Sequence, residues 1–245
     1  MPRFLLSIAA ILALALAACG GGSSPTPSPS PSPTIDFGAA ARQAVSSALM
    51  TIADLPEFWA EGGAGDTNVD LDLSPACDIF DPDVAFPDSV AVEQSAVFLG
   101  RDERQASFTT AVFREEEDAR AAFAGQADLV ERCHDEFLEV IEQAARDQAA
   151  ERGFPLGPLA RVSVALEPIN FPSLEDDTSA RRARVAISLI GVTVRFDADI
   201  IVVRSGRVMG AMTYSNFESI DLLEEETIAR TMATKLAAAD SSLPE

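Results

Sequence analysis

The sequence predicts an α+β domain: a largely antiparallel sheet of about six strands, packed with three or four helices and held by one disulfide. Three observations lead there. Helix-period and strand-period stretches are segregated, in the order helix, two strands, helix, four or five strands, helix. The strands are separated by short turn signals that suit hairpins rather than crossover helices. Residues 36–245 are enough for one sizeable hydrophobic core, and no second composition break divides them.

The first helix is expected from about Gly38 to Ala53, with Val45, Leu49 and Ile52 on one stripe. Asp54-Leu55-Pro56 ends it, because the residue before proline is steered out of the helical region. Glu61 to Ser89 is rich in Gly, Asp and Pro and reads as an irregular excursion. Two strands follow, Val90–Leu99 and Gln105–Phe113, joined around Gly100-Arg101-Asp102. Glu115-Glu116-Glu117-Asp118 opens the next helix, with acidic groups where the macrodipole favours them. That helical stretch extends toward Arg152, with a break expected near Gly125. Val130, Cys133, Phe137, Ile141 and Ala144 recur at steps of three and four and so share a buried face.

Beyond Gly153 the period changes to two. Arg161–Leu166 reads as a strand and Pro168–Asp177 as a loop. In Arg182–Ile190, Ala183, Val185, Ile187 and Leu189 alternate with polar residues. In Val192–Ile200, Val192, Val194, Phe196 and Ala198 alternate with Thr193, Arg195, Asp197 and Asp199. Gly191 marks the turn between them, and Arg182 and Arg184 are positioned for cross-strand ion pairing with Asp197 and Asp199. Ser205-Gly206, flanked by Val202-Val203-Arg204 and Arg207-Val208-Met209, is a two-residue hairpin signal. An Asp221…Glu224 capping box starts the last helix, which buries Ile228, Met232 and Leu236.

The amino terminus carries its own message. Phe4 to Ala18 is a short apolar run preceded by Arg3, and Leu16-Ala17-Ala18-Cys19 reads as a bacterial lipobox. Residues 1–18 are therefore read as a lipoprotein signal peptide. In proteins that this segment resembles, Cys19 receives a diacylglyceryl thioether, the signal is cut before it, and acyl chains such as palmitate anchor the chain in the membrane. Two or three such chains hold stably where one is marginal. Residues 19–35 then form a tether: Gly-Gly-Gly-Ser-Ser, followed by Pro25, Pro27, Pro29, Pro31 and Pro33 alternating with Ser or Thr. Alternating proline favours polyproline II, with a reach of about 45 Å for such a segment.

Export makes the cysteines legible. Beside Cys19 there are two, Cys77 and Cys133, and an even pair in an exported chain reads as a structural disulfide. There is no Cys-x-x-Cys motif to suggest redox turnover. The net charge of −21 lacks the basic footprint that nucleic acid requires. It also opposes electrostatic adhesion to anionic lipid.

Motifs for catalysis are sparse, so neither a catalytic residue nor a cofactor is assigned. The single histidine, His134, precedes Asp135-Glu136 but lacks the Pro-Cys-x-x-Cys partner of a zinc deaminase, and reads as a helix-surface residue. No nucleophile elbow, Walker loop or dinucleotide fingerprint occurs. Asp66, Asn68, Asp70 and Asp72 alternate as in a calcium loop, yet Leu71 and Cys77 stand where an EF-hand needs Gly and Glu. A looser calcium site would use Asp78, Asp81 or Asp83. Trp59, the one tryptophan, is expected to cap the core beside the first helix.

Several of these features together resemble a known family. They are a lipoprotein anchor with a Pro/Ser tether, a helix ending at Asp54-Leu55-Pro56 and an excursion bearing Cys77. A helix bearing Cys133, the late hairpin Val202-Val203-Arg204-Ser205-Gly206-Arg207-Val208 and a closing helix complete the set. The arrangement is similar to the exported sensor-type domain found outside PknH-like bacterial Ser/Thr kinases and on many lipoproteins, over about residues 38–240. The resemblance implies an antiparallel sheet with packed helices and a ligand-binding cleft. This chain departs from it in having a single expected disulfide, no kinase domain and no transmembrane helix, and no binding residue is carried over.

The first expectation is thus a non-enzymatic, lipid-anchored sensor or ligand-binding domain on the outer face of the cytoplasmic membrane. It would receive a small or lipidic ligand, or an envelope protein. The alternative is a structural or assembly lipoprotein that meets an envelope partner. A carboxylate-based hydrolase is the least favoured of the three.

Overall fold

The computed structural model describes residues 36–62, 73–78, 81–151, 161–189, 192–217 and 219–245. Cys19, the tether, the Asp66–Asp72 alternation and Gly191 lie outside the described residues. The described chain forms an α+β domain with an eight-stranded antiparallel sheet, five helices and the Cys77–Cys133 disulfide.

Helix α1 (Phe37–Ala48) is capped by Asp36, whose carboxylate accepts from the Ala39 amide at 3.2 Å. It stops five residues short of the expected Ala53. Leu49 turns extended, and a separate 3₁₀ turn, Ile52–Asp54, starts under a Thr51–Asp54 capping box. That local hydrogen-bond pair competes with helix continuation, which periodicity alone does not register. The short strand β1 (Ala60–Glu61) and the one-turn helix α2 (Pro82–Ala85) follow.

The expected strand Val90–Leu99 is two strands, β2 (Ala91–Gln94) and β3 (Phe98–Leu99), both paired with β4 (Gln105–Val112). Between them Ser95–Val97 sets three residues against two on β4, a bulge. The Ser95 hydroxyl accepts from the Phe108 amide at 3.0 Å, replacing the ladder bond that the bulge removes. This split, with β1 at the edge, raises the strand count from about six to eight.

The long helical stretch divides at Cys133, not near Gly125, into α3 (Glu116–Arg132) and α4 (His134–Glu151). A Cβ at Gly125 would meet nothing within 4 Å, so that glycine sits on an open helix surface. The break lies instead where Cys133 must turn its sulfur to Cys77, with Cα atoms 5.6 Å apart.

The remaining strands are β5 (Arg161–Pro168), β6 (Asp177–Leu189), β7 (Val192–Ser205) and β8 (Val208–Phe217), before the closing helix α5 (Leu222–Ser242). The two stretches expected on either side of Ile201 are one continuous strand, β7. Across the sheet the order is β1-β3-β4-β8-β7-β6-β5, with β2 also on β4.

Helices cover both faces. On one, α1 and α5 bury Val45, Ile228, Met232 and Leu236 against Phe108, Ile201, Val203, Met212 and Tyr214. On the other, α3 packs Ala119 and Ala122 against Val202 and Met209, while α4 packs Phe137 against Leu166 and Ala183. Alternation along β7, with Ile201 and Val203 to one side and Val202 to the other, produces two cores from one strand.

The β7–β8 turn consists of Gly206 and Arg207, one residue later than Ser205-Gly206. Gly206 has φ +54°, and a Cβ there would lie 2.3 Å from an Asp240 carboxylate oxygen. That carboxylate accepts from the Arg207 amide at 2.9 Å, so it has little freedom to retreat. Gly206→Ala is therefore expected to cost about 2 kcal/mol, read as a lower urea midpoint with an unchanged m-value.

Candidate functional site

The amino-terminal end of α5 carries a dense polar network beside a cavity. Asp221 caps the helix, accepting from the Glu224 amide at 3.2 Å. The expected capping box is only half made. The Glu224 carboxylate leaves its own helix and takes three donors: Trp59 Nε1 at 3.1 Å, Tyr214 Oη at 2.8 Å and the Arg104 guanidinium. Burial, and then the negative Glu224, push the Tyr214 phenol upward, so it stays a donor.

Around this carboxylate opens a cavity of about 120 Å³, lined by Glu57, Phe58, Trp59, Arg101, Arg104 and Glu224. Its rim is unusual in two ways. Phe58 is 61% exposed, and Arg101 stacks its guanidinium 3.4 Å above the ring centroid, a cation–π contact. Phe58 on the rim, and Asp102 and Glu103 in the turn between the lining residues Arg101 and Arg104, also have positive φ without being glycine: 80°, 56° and 63°. Left-handed backbone at a bulky residue costs on the order of 1 kcal/mol or more, and such residues gather at ligand clamps and switch regions. Beneath the rim, a Cβ on Gly100 would stand 3.0 Å from the Trp59 ring, so the loop after β3 lies flat on the indole.

On the inner side of the same helix, the next residue, Glu225, is fully buried. Below it, Arg182 grips Asp199 with two bonds of 2.6 Å, and Arg184 Nε donates to Asp197 at 3.1 Å. The cross-strand pairing expected from alternation is thus observed. Neither Glu225 oxygen receives a hydrogen bond. Burial, and next the Asp199 carboxylate it faces, push Glu225 up to about 9, with Arg182 opposing. At neutral pH Glu225 is therefore held protonated and uncharged beside Asp199. Asp199 and Tyr214 are register partners on β7 and β8, so the buried pair and the cavity network form one row across the sheet.

Other residues singled out in the sequence have structural tasks. Asp81 caps α2 through the Asp83 amide, and Asp78 Oδ1 accepts from the Asp81 amide. Among the described residues no three His, Cys, Asp or Glu side chains converge as a metal site. His134 lies on the surface, 3.2 Å from Asp135 Oδ1, beside an open depression that also involves Arg132 and Arg181. Trp59 belongs to the core as expected, and it also walls the cavity. Glu225, Tyr214 and Arg104 were not singled out by sequence as site residues, and Glu224 was read only as half of a capping box. The one signal was the Glu224-Glu225-Glu226 run, which reads equally as a solvated helix start.

No protein-family model matches the chain. No curated protein matches it either. Among solved structures the chain is similar to the crystal structure of the extracellular domain of PknH from Mycobacterium tuberculosis, with a TM-score of 0.48 and 10% identity over 82% of this chain and 97% of that one.

Proposed function

We propose that this chain is a lipid-anchored extracytoplasmic protein whose domain, residues 36–245, is a non-enzymatic sensor or binding module. In this reading the rim of Phe58, Arg101 and Glu57 receives the ligand or envelope partner. The observation that carries it is Phe58: an exposed aromatic, on strained backbone, at the mouth of a cavity whose floor is locked by the Glu224 network. A rigid floor beneath a strained aromatic rim is the economy of a binding surface, since little order remains to be imposed on contact. The polar cavity suits a small or polar group better than a lipid chain. Among the described residues the one carboxyl held strongly toward neutrality is Glu225, and it is sealed from solvent and out of reach of any substrate.

The anchor and the binding site are tested together on the full chain in an exporting bacterium. Lipidation at Cys19 is expected to place the protein in the detergent-soluble membrane fraction, and Cys19→Ser to release it. Native mass spectrometry of the detergent-solubilised protein should then show added mass that leaves on denaturation. Phe58→Ala should abolish that mass without changing the melting temperature. A chain that carries no acyl mass refutes the anchor, and one that arrives bare, with no partner retained, refutes the binding role.

A further inference from the structure

Strand β5 ends the sheet, and among the described residues no strand lies beyond it. Its inner side is fully paired to β6, from Arg161↔Ser188 to Pro168↔Arg181. The bond from the Ile169 amide to the Ala180 carbonyl, 3.1 Å, sets the phase of that ladder. Odd-numbered residues bond inward to β6, so Val162, Val164 and Leu166 present their N–H and C=O groups outward. Helix α4 covers one face of this strand, through Phe137 on Leu166, and no described strand pairs with the edge itself. Eight residues is long for an open edge, and the usual protections are thin. Pro168 closes one end, and no charge interrupts Val162 to Leu166.

We propose that this edge is a homodimer interface, in which β5 pairs antiparallel with β5 of a second copy about Val164. The occupant is identified by the strand's own self-complementarity. In the register centred on Val164, Val164 faces Val164, Val162 faces Leu166, and Ser163 faces Ala165. Arg161 then falls opposite Glu167 at both ends. Val162, Val164 and Leu166 are the outward-bonding set, so their pairs are the hydrogen-bonded ones, with about six backbone bonds in all. The Arg161–Glu167 pairs are non-hydrogen-bonded sites, where facing side chains stand closest. Moving the centre to Ser163 or Ala165 keeps the bonding phase but sets Arg161 against an alanine or Glu167 against a serine. Charge therefore selects one register of the three. Arg161 and Glu167 are both exposed and make no ion pair with a described residue. A net charge of −21 makes two copies repel at long range, so a contact between them depends on local complementarity of this kind.

The test uses the full chain with single cysteines introduced at the two ends of β5. Arg161→Cys and Glu167→Cys chains, co-expressed and treated with a mild oxidant, are expected to give a disulfide-linked dimer. Each variant alone should not, because like positions stand about 20 Å apart in this register. In a separate series, Glu167→Arg should weaken self-association about tenfold in sedimentation of the solubilised protein, and Arg161→Glu combined with Glu167→Arg should restore it. The native Cys77–Cys133 bridge, seen on the same non-reducing gel, reports that each variant is folded. A folded but unlinked co-expression, linkage of either variant alone, or linkage to a different protein overturns the proposal.

Discussion

Replacing Cys77 or Cys133 with serine is expected to cost about 4 kcal/mol, the entropy of closing a loop whose ends are 56 residues apart. The bridge also ties down the stretch around Cys77, residues 73–78, which little else holds. Cys77 belongs to a small cluster with Leu129 and Cys133, flanked by Val84, apart from the two main cores. The polar bonds from Ser74 to Glu136 are exposed and contribute little on their own. Thermal melts of the oxidised protein, the reduced protein and the double serine variant check this. The reduced and serine forms should melt alike and well below the oxidised form. Equal melting of all three would show that the bridge constrains nothing that folding needs.

The second large effect is a pH dependence of unusual sign for a carboxyl. Glu225 is raised in the fold, from 4.5 to about 9. Folded protein therefore holds a proton that the unfolded chain has released over that interval. The stabilisation is fully present below pH 4.5 and is lost as pH rises through about 9. Within the window Glu225 contributes a decline approaching about 1.4 kcal/mol per pH unit. Glu225→Gln, which keeps a donor toward Asp199 without a titrating proton, should flatten the profile, measured by urea unfolding from pH 5 to 9. Arg182→Ala acts differently, because it leaves Asp199 buried beside Glu225 without its cation. That loss is expected at about 3–5 kcal/mol near neutral pH. An unaltered slope in Glu225→Gln would show that the fall in stability with pH has another source.

What the sequence revealed and what it hid follow the range of the interactions involved. The hairpins of the β6–β8 region and the stripe of α5 were legible because alternation and helical period are local, and because Asp197 and Asp199 stand opposite arginines at matching steps. The bulge at Ser95 and the early end of α1 were not. Each depends on one side chain outbidding the backbone ladder, which periodicity averages away. The site was hidden for a different reason. Glu224 joins Trp59, Arg104 and Tyr214 across 165, 120 and 10 residues of sequence. One acidic residue among 39 gives no sign of such convergence. The disulfide was readable because, with Cys19 read as the lipid attachment site, only one pairing of the other two cysteines was left.

The corner around Gly206 gives the domain a direction. Arg207 stands 5.7 Å from the Phe37 ring and donates to the carbonyls of Pro244 and Leu243, so the first helix, the hairpin tip and the carboxyl terminus meet there. Helix α5 starts at the Phe58 cavity and ends at this corner, and its 21 residues span about 30 Å. Both chain ends thus leave the domain at the pole opposite the cavity. Asp36 and Glu245 therefore share one pole of the described domain, and the aromatic rim occupies the other. A fluorophore or affinity handle fused after Glu245 would report on the Gly206 corner and leave the Phe58 cavity unobstructed.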